Sequence, residues 1–81
     1  MGSKRRLGTT LHVSRSSGNL ILRAERRARI GDAVLDKGGR RVGTVFDLFG
    51  PVSSPFVAVR PGVDGPERYV GEPLFLGRSK R

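Results

Sequence analysis

The sequence contains no cysteine and no tryptophan, and it has one histidine, His12, among its 81 residues. Without cysteine the chain can form no disulfide and offers no thiolate for catalysis. A single histidine also excludes zinc sites of the Cys/His type, so we predict no metal and no other cofactor. Long apolar runs are absent too, and none reaches the length of a membrane span. We therefore expect a cytoplasmic protein with no signal peptide and no membrane contact.

Acidic residues are few: seven Asp and Glu stand against sixteen Lys and Arg, for a formal net charge of +9. A positive field of this size attracts polyanions, so nucleic acid, or a place inside a ribonucleoprotein, is the first hypothesis. Basic residues lie at both ends of the chain: Lys4, Arg5, Arg6, Lys80 and Arg81. We predict that residues 1–6 and 77–81 are flexible tails, which either contact RNA phosphates without reading sequence or only keep the chain soluble.

Helical patterns are missing as well, since no stretch of ten residues carries a convincing helical period. Twelve glycines and five prolines divide the chain into short apolar runs, a pattern typical of β-structure. In the first run, "LGTTLHVS", one face is predicted to carry Leu7, Thr9, Leu11 and Val13. Later runs include "RVGTVFDLF" and "FVAVRP", which are predicted to form a central pair of strands. The number of runs favours a small closed β-barrel over residues 7–76, because closure removes exposed strand edges.

Residues that could perform catalysis are sparse. His12 is predicted to face solvent, and no serine or cysteine nucleophile motif lies near it. The carboxylates of Asp32, Asp36 and Asp47 could pair across strands, but in an arginine-rich chain they are more typical of turn caps and ion pairs. The sequence has no phosphate-binding loop, dinucleotide fingerprint or calcium loop. We therefore expect a protein that is not an enzyme.

One stretch, residues 42–59, reads "VGTVFDLFGPVSSPFVAV" and carries no lysine or arginine. Phe46 and Phe49 are an odd number of positions apart, so on a regular strand one lies in the core and the other points outward. The spacing leaves open which is which; we take Phe49 as the outward residue and Phe46 as the core residue. Pro51 and Pro55 stiffen the loop, which lowers the entropy lost on binding, although they could also simply shape a hairpin connection. An apolar patch without lysine or arginine on a basic chain is more typical of a protein contact than of an RNA contact.

Three segments of the chain, in this order, resemble the Gar1 family: "VGTVFDLFGPV" at residues 42–52, "PFVAV" at 55–59 and "YVGEPLF" at 69–75. The likeness extends more loosely from Leu7 to Leu76. It implies an all-β fold, a six-stranded closed barrel related to translation-factor barrels. The related assembly-factor family, Naf1, shares this barrel in longer chains. The Gly/Arg-rich extensions of eukaryotic Gar1 proteins are missing, so the chain looks like the compact archaeal form.

Gar1 proteins are non-catalytic subunits of H/ACA ribonucleoproteins, the guide-RNA particles that convert uridine to pseudouridine in rRNA processing and ribosome biogenesis. The resemblance implies that the chain binds the catalytic domain of the pseudouridine synthase subunit (Cbf5, or dyskerin in eukaryotes). Through the thumb loop of the synthase it would modulate substrate loading and product release, with mostly indirect contact to guide RNA. The implied interface comprises Gly43, Val45, Phe49, Gly50, Pro51, Val52, Pro55 and Phe56. The alternative is a barrel that binds RNA directly through its basic surface and tails. We expect a monomer when the chain is free.

Overall fold

The strands of this protein wrap into a closed six-stranded antiparallel barrel in the computed structural model, which describes residues 5–77. They are β1 (Arg5–Val13), β2 (Leu20–Arg23), β3 (Ala33–Leu35), β4 (Arg41–Phe49), β5 (Phe56–Pro61) and β6 (Pro73–Leu76), with a 3₁₀ helix at Pro66–Tyr69. The order around the barrel is β1-β2-β5-β4-β3-β6, and β6 pairs again with β1. The predicted fold class is therefore confirmed.

Aliphatic side chains that alternate along the strands fill the barrel. Leu20 and Leu22 of β2 and Val57 and Val59 of β5 are fully buried. The other core residues are Leu7, Ala28, Val34, Val42, Val45, Tyr69, Leu74 and Leu76. Burial of each Leu or Val side chain stabilises the fold by roughly 1.5–3 kcal/mol. Because successive side chains of a strand point to opposite faces, the even-numbered residues of β5 point away from the barrel axis.

β1 departs from the alternation predicted for it. Its pairing shifts register after Arg6, against β6, and after Thr10, against β2. Each shift is a bulge that changes which residues face the core. Leu7 and Thr10 are consequently buried, whereas Leu11 is half exposed. The prediction of one core face made of Leu7, Thr9, Leu11 and Val13 is therefore wrong.

The barrel begins earlier in the chain than predicted. Arg5 pairs with Leu76 and Arg6 with Phe75, so these two arginines belong to β1 and not to a tail. Their backbone helps to close the barrel between its first and last strands. Lys4, Lys80 and Arg81, which are also predicted to belong to RNA-contacting tails, lie outside the described residues.

At one corner of the barrel, β4 is longer than its neighbour β3. β3 pairs with β4 only from the pair Leu35 and Arg41 to the pair Ala33 and Thr44. β5, in contrast, pairs with β4 as far as the pair Phe56 and Phe49. Within residues 5–77, no strand pairs with the β3 side of β4 after Thr44, and the last backbone hydrogen bonds on that side join Val45 to Gly31 and Asp32. β5 itself stays paired with β2 as far as Phe56. The end of β4 is therefore the edge of the sheet at this corner. We call residues 46–56 the hairpin tip.

At the opposite end, Asp36 holds the β3–β4 turn. Its Oδ1 accepts hydrogen bonds from the amides of Gly38 and Arg40, each at 2.9 Å, and its Oδ2 accepts one from the Tyr69 hydroxyl at 2.9 Å. Partial burial raises the pKa of the Asp36 carboxyl, but the hydrogen bonds from Arg40, Tyr69 and Gly38 outweigh it and leave the pKa below its ordinary value. The aspartate is thus a turn cap that also ties the 3₁₀ helix to the turn.

Candidate functional site

Both phenylalanines of β4 lie on the surface of the hairpin tip. Phe46 is 50% exposed and Phe49 is 44% exposed. A register shift between Val45 and Asp47 places a bulge at Phe46, so the strict alternation of the strand stops there. Phe49 points outward as predicted, but the prediction that Phe46 lies in the core is wrong. The hairpin tip therefore has more exposed aromatic surface than the sequence pattern indicates.

The structure divides the predicted interface residues into two groups. The hairpin tip contains Phe49, Gly50, Pro51, Val52, Pro55 and Phe56, all exposed or partly exposed. Val45, in contrast, is only 2% exposed and belongs to the core. Gly43 is also buried, where a Cβ atom would lie 2.9 Å from the carbonyl carbon of Arg60 and 3.0 Å from the Cα of Pro61. The assignment of Gly43 and Val45 to an interface is corrected: their role is to pack β4 against its neighbours.

Aromatic stacking organises the hairpin tip. The rings of Phe49 and Phe56 stack with centroids 5.6 Å apart and planes 23° apart, and the Arg23 guanidinium lies 5.6 Å from the Phe56 centroid. Gly50 follows with a φ of 92°, and a Cβ atom there would lie 2.9 Å from Cδ2 of Phe56. Glycine is therefore required by both the turn and the stack. The amide of Ser54 donates to the carbonyl of Pro51 at 3.1 Å, which closes the loop.

A long connection between β2 and β3, residues 24–32, runs beside the hairpin tip. It is fastened at its start, where the Ala24 amide donates to the Pro55 carbonyl at 2.9 Å, and at its end, where the Gly31 amide donates to the Val45 carbonyl at 2.8 Å. Ala28 anchors its middle in the core. Between the connection and the hairpin tip lies a groove of about 490 Å³. The sequence alone does not predict this groove, because residues 24–28 and 48–55 become neighbours only through the barrel topology.

Arginines lie against the exposed rings although none occurs within residues 42–59. Arg60, on the outer face of β5, places its guanidinium 5.5 Å from the centroid of Phe46. Arg23 reaches Phe56 from the neighbouring strand β2, with which Phe56 is paired. The separation of arginine from aromatic residues along the sequence is therefore not preserved in space.

The residues considered for catalysis have other positions and partners. His12 is exposed, as predicted. Asp32 accepts a hydrogen bond from the Arg29 amide, and Asp47 accepts one from the Leu48 amide, each at 2.9 Å. Among residues 5–77, no three His, Asp or Glu side chains are grouped as metal ligands would be. No helix in the described part of the chain has the length and apolar character needed to cross a membrane.

The barrel is similar to a solved structure described as the Gar1 domain of NAf1. The TM-score is 0.73, and the match covers 91% of this chain and 83% of that chain at 20% sequence identity. The likeness shows that the chain has the Gar1-domain fold, which agrees with the family resemblance of its sequence motifs.

Sequence comparison adds archaeal relatives, although no family model matches the chain. An uncharacterised protein of Methanocaldococcus jannaschii is 41% identical over 44 residues, which is 54% of this chain and 53% of that protein. An uncharacterised protein of Methanothermobacter thermautotrophicus is 37% identical over 75 residues, which is 88% of this chain and 80% of that protein. With such identity over most of both sequences, the chain belongs to the same family as the Methanothermobacter protein.

Proposed function

We propose that the chain is a non-catalytic subunit of an H/ACA guide-RNA pseudouridylation complex. In this role it binds the catalytic domain of the pseudouridine synthase subunit, of the Cbf5 or dyskerin type. The observation that carries the proposal is the exposed, apolar and arginine-free hairpin tip on a barrel with the Gar1-domain fold. The same segment includes residues 46–52 of the motif that resembles the Gar1 family.

The exposed side chains of the hairpin tip have the character of a protein-binding surface. Val52 is 98% exposed, and Phe46, Leu48 and Phe49 are each more than one-third exposed. A group of adjacent solvent-exposed apolar side chains marks an interaction site more often than a single exposed apolar side chain does. Aromatic residues are also over-represented among the residues that dominate binding energy at protein interfaces.

The hairpin tip is also ordered before it binds. The Phe49–Phe56 stack, the Pro51–Ser54 hydrogen bond and the two proline rings restrict its conformations. A surface that is already ordered loses less conformational entropy on association, so more of its contact energy appears as affinity. If its contacts differ between two positions of the synthase thumb loop, binding shifts the population of that loop. This is how a subunit without catalytic groups can change substrate loading and product release.

The direct test is size-exclusion chromatography of the chain with the synthase subunit in the absence of RNA. We expect the two proteins to co-elute as one species. Separate elution at micromolar concentrations would contradict the proposal.

A substitution at Val52 tests whether the hairpin tip makes the contact. Because Val52 is almost fully exposed, Val52→Glu should leave the circular dichroism spectrum and the stability of the free barrel unchanged. It should lower affinity for the synthase by roughly 30-fold, about 2 kcal/mol, as expected for an apolar anchor. Val70→Glu is the matched control, since Val70 is also exposed but follows the 3₁₀ helix, away from the tip. Equal effects of the two substitutions would rule out the tip as the contact.

Direct RNA binding remains the second candidate, favoured by the net charge of +9 and by the arginines stacked on Phe46 and Phe56. It predicts guide-specific binding to RNA without partner proteins, with affinity that falls steeply with salt. Weak binding that does not distinguish guide RNA from unrelated RNA is expected of any chain this basic. A filter-binding comparison of the two RNAs separates this candidate from the first.

A further inference from the structure

The groove beside the hairpin tip has two chemically different walls. One wall is the hairpin tip, which contributes Leu48, Phe49 and Val52 together with glycine, serine and proline, and no charged side chain. The other wall is the connection, where Arg26 and Arg27 are exposed. The groove is therefore apolar on one side and basic on the other.

The positive charge of the basic wall is not cancelled from within the described residues. Glu25 also lines the groove, but its carboxylate pairs with Arg6, with 3.2 Å between Oε1 and Nε. In residues 5–77 neither Arg26 nor Arg27 forms an ion pair. The Nε of Arg26 donates to the carbonyl of Arg6 at 3.2 Å, which fixes the side chain by one contact to a neutral acceptor. Two guanidinium groups thus add a net positive charge beside an apolar surface.

The rings around the groove offer little surface for stacking nucleobases. Phe56 already contacts both the Phe49 ring and the Arg23 guanidinium. Phe49 is the one aromatic residue that lines the groove among residues 5–77, and the rest of the apolar wall is aliphatic. Single-stranded nucleic acids are usually held by several aromatic faces in succession. The composition of the groove therefore favours a polypeptide, in which apolar side chains and carboxylates alternate over short distances.

We infer that the groove receives one segment of the protein partner, in which apolar side chains are flanked by Asp or Glu. The apolar side chains contact Leu48, Phe49 and Val52, and the carboxylates face Arg26 and Arg27. The inference rests on the proposed function, because the partner is the synthase subunit. The inference adds to the proposed function the chemistry of the partner segment. It also assigns the connection to the interface, although the sequence motifs do not include the connection. The complementary charges set the orientation of the segment and speed its association.

The test compares two double variants of the full chain for binding to the purified synthase subunit. Arg26→Glu/Arg27→Glu reverses the charge of the groove wall. Arg15→Glu/Arg41→Glu changes the net charge equally, at exposed positions in the β1–β2 turn and at the start of β4, at the opposite end of the barrel. We expect the groove variant to bind about tenfold more weakly or worse in 0.1 M salt, and the control variant to change by less than about threefold. The difference should shrink as salt is raised.

A photo-crosslinking amino acid at position 52 supplies an independent measurement. Because Val52 is 98% exposed, the substitution leaves the fold intact. The crosslinked synthase peptide should contain carboxylates next to apolar residues.

The outcomes distinguish the inference from the proposed function. If wild-type chain binds the synthase but the two double variants bind it equally well, the groove inference is wrong and the proposed function stands. A crosslinked peptide without carboxylates would likewise overturn the groove inference alone. If the groove variant loses affinity for RNA or for a second copy of the chain, and not for the synthase, the assigned occupant is wrong. If wild-type chain does not bind the synthase at all, the proposed function fails and the inference fails with it.

Discussion

Replacing Gly43 with alanine is expected to destabilise the barrel, although the sequence motif places this residue in an interface. The added methyl group would meet the backbone of β5, at 2.9 Å from the carbonyl carbon of Arg60 and 3.0 Å from the Cα of Pro61, and it would overlap the Arg60 carbonyl oxygen. Ordinary van der Waals contact begins at about 3.4 Å. Because the obstructing atoms are backbone, no side-chain rotation relieves the clash, and the two strands must separate.

The size of the effect follows from what this separation disturbs. Overpacking of a well-packed interior costs about 1–3 kcal/mol. Gly43 pairs with Pro61 in the β4–β5 ladder, and each weakened ladder hydrogen bond removes about 1 kcal/mol more. We expect the free energy of unfolding to fall by about 3 kcal/mol, a large part of the roughly 5–15 kcal/mol typical of a domain. In a domain of this size the melting temperature would drop by about 12–24 °C.

Gly62→Ala provides the matched control. A Cβ atom at Gly62 would have the Val42 carbonyl oxygen as its near neighbour, at 3.9 Å, which is an ordinary contact. Its effect should stay within about 1 kcal/mol. Urea denaturation followed by circular dichroism measures both variants, and isothermal titration with the synthase subunit measures binding. If Gly43→Ala proves as stable as Gly62→Ala and loses only partner binding, Gly43 is an interface residue and the packing argument is refuted.

Three further substitutions test other parts of the structure. Tyr69→Phe removes the hydroxyl bound to Asp36 and should cost about 1 kcal/mol of stability at neutral pH. The folded-state pKa of Asp36 is lowered, so the ionised carboxylate contributes stability above its ordinary pKa of 3.8. This contribution is lost as the pH falls through the lower pKa of the folded state. The free energies of unfolding of wild type and Tyr69→Phe, measured by urea titration, should therefore converge in acid. Thr10→Val should raise the free energy of unfolding by about 1 kcal/mol, because the buried Thr10 hydroxyl has no hydrogen-bond partner among residues 5–77; a decrease in urea denaturation would show that the hydroxyl is satisfied. Phe49→Ala should lower synthase affinity roughly 30-fold in calorimetry while leaving the circular dichroism spectrum of the barrel unchanged; a collapsed spectrum would mean that Phe49 is part of the core.

Much of the barrel can be predicted from the sequence because its strands are bounded by local signals. The segments "RVGTVFDLF" and "FVAVRP" coincide with β4 and β5, since short apolar runs and the proline-containing loop between them are properties of neighbouring residues. The bulges cannot be predicted in this way. They arise where a strand must bend to close the barrel, and their effect on Leu11 and Phe46 depends on partner strands that are remote in sequence.

The candidate site shows the same limit. The surplus of apolar residues and the absence of positive charge in residues 42–59 predict an exposed hairpin, and six of the residues assigned to the interface do lie in the hairpin tip. Gly43 and Val45 share the motif, but strand contact and core packing, which no motif displays, place them inside. The arginine-rich connection lies outside the segments that resemble the Gar1 family, so no motif assigns it to the site. Its position opposite the hairpin tip results from the barrel order β2-β5-β4-β3.

The free edge of β4 also bears on colloidal behaviour. Barrel closure protects most strands from pairing with other molecules, but beyond Val45 the β3 side of β4 has no partner strand within residues 5–77. An apolar edge of this kind is a template for intermolecular β-pairing. Asp47 is the sole charged residue of residues 42–59, and its carboxylate accepts the Leu48 amide at 2.9 Å. Asp47 therefore satisfies the Leu48 amide, which is then not available to another strand. It also brings a negative charge to the edge of β4, so that two such edges repel each other. We therefore expect Asp47 to oppose edge-to-edge association of free chains, as charged gatekeeper residues do beside apolar strands.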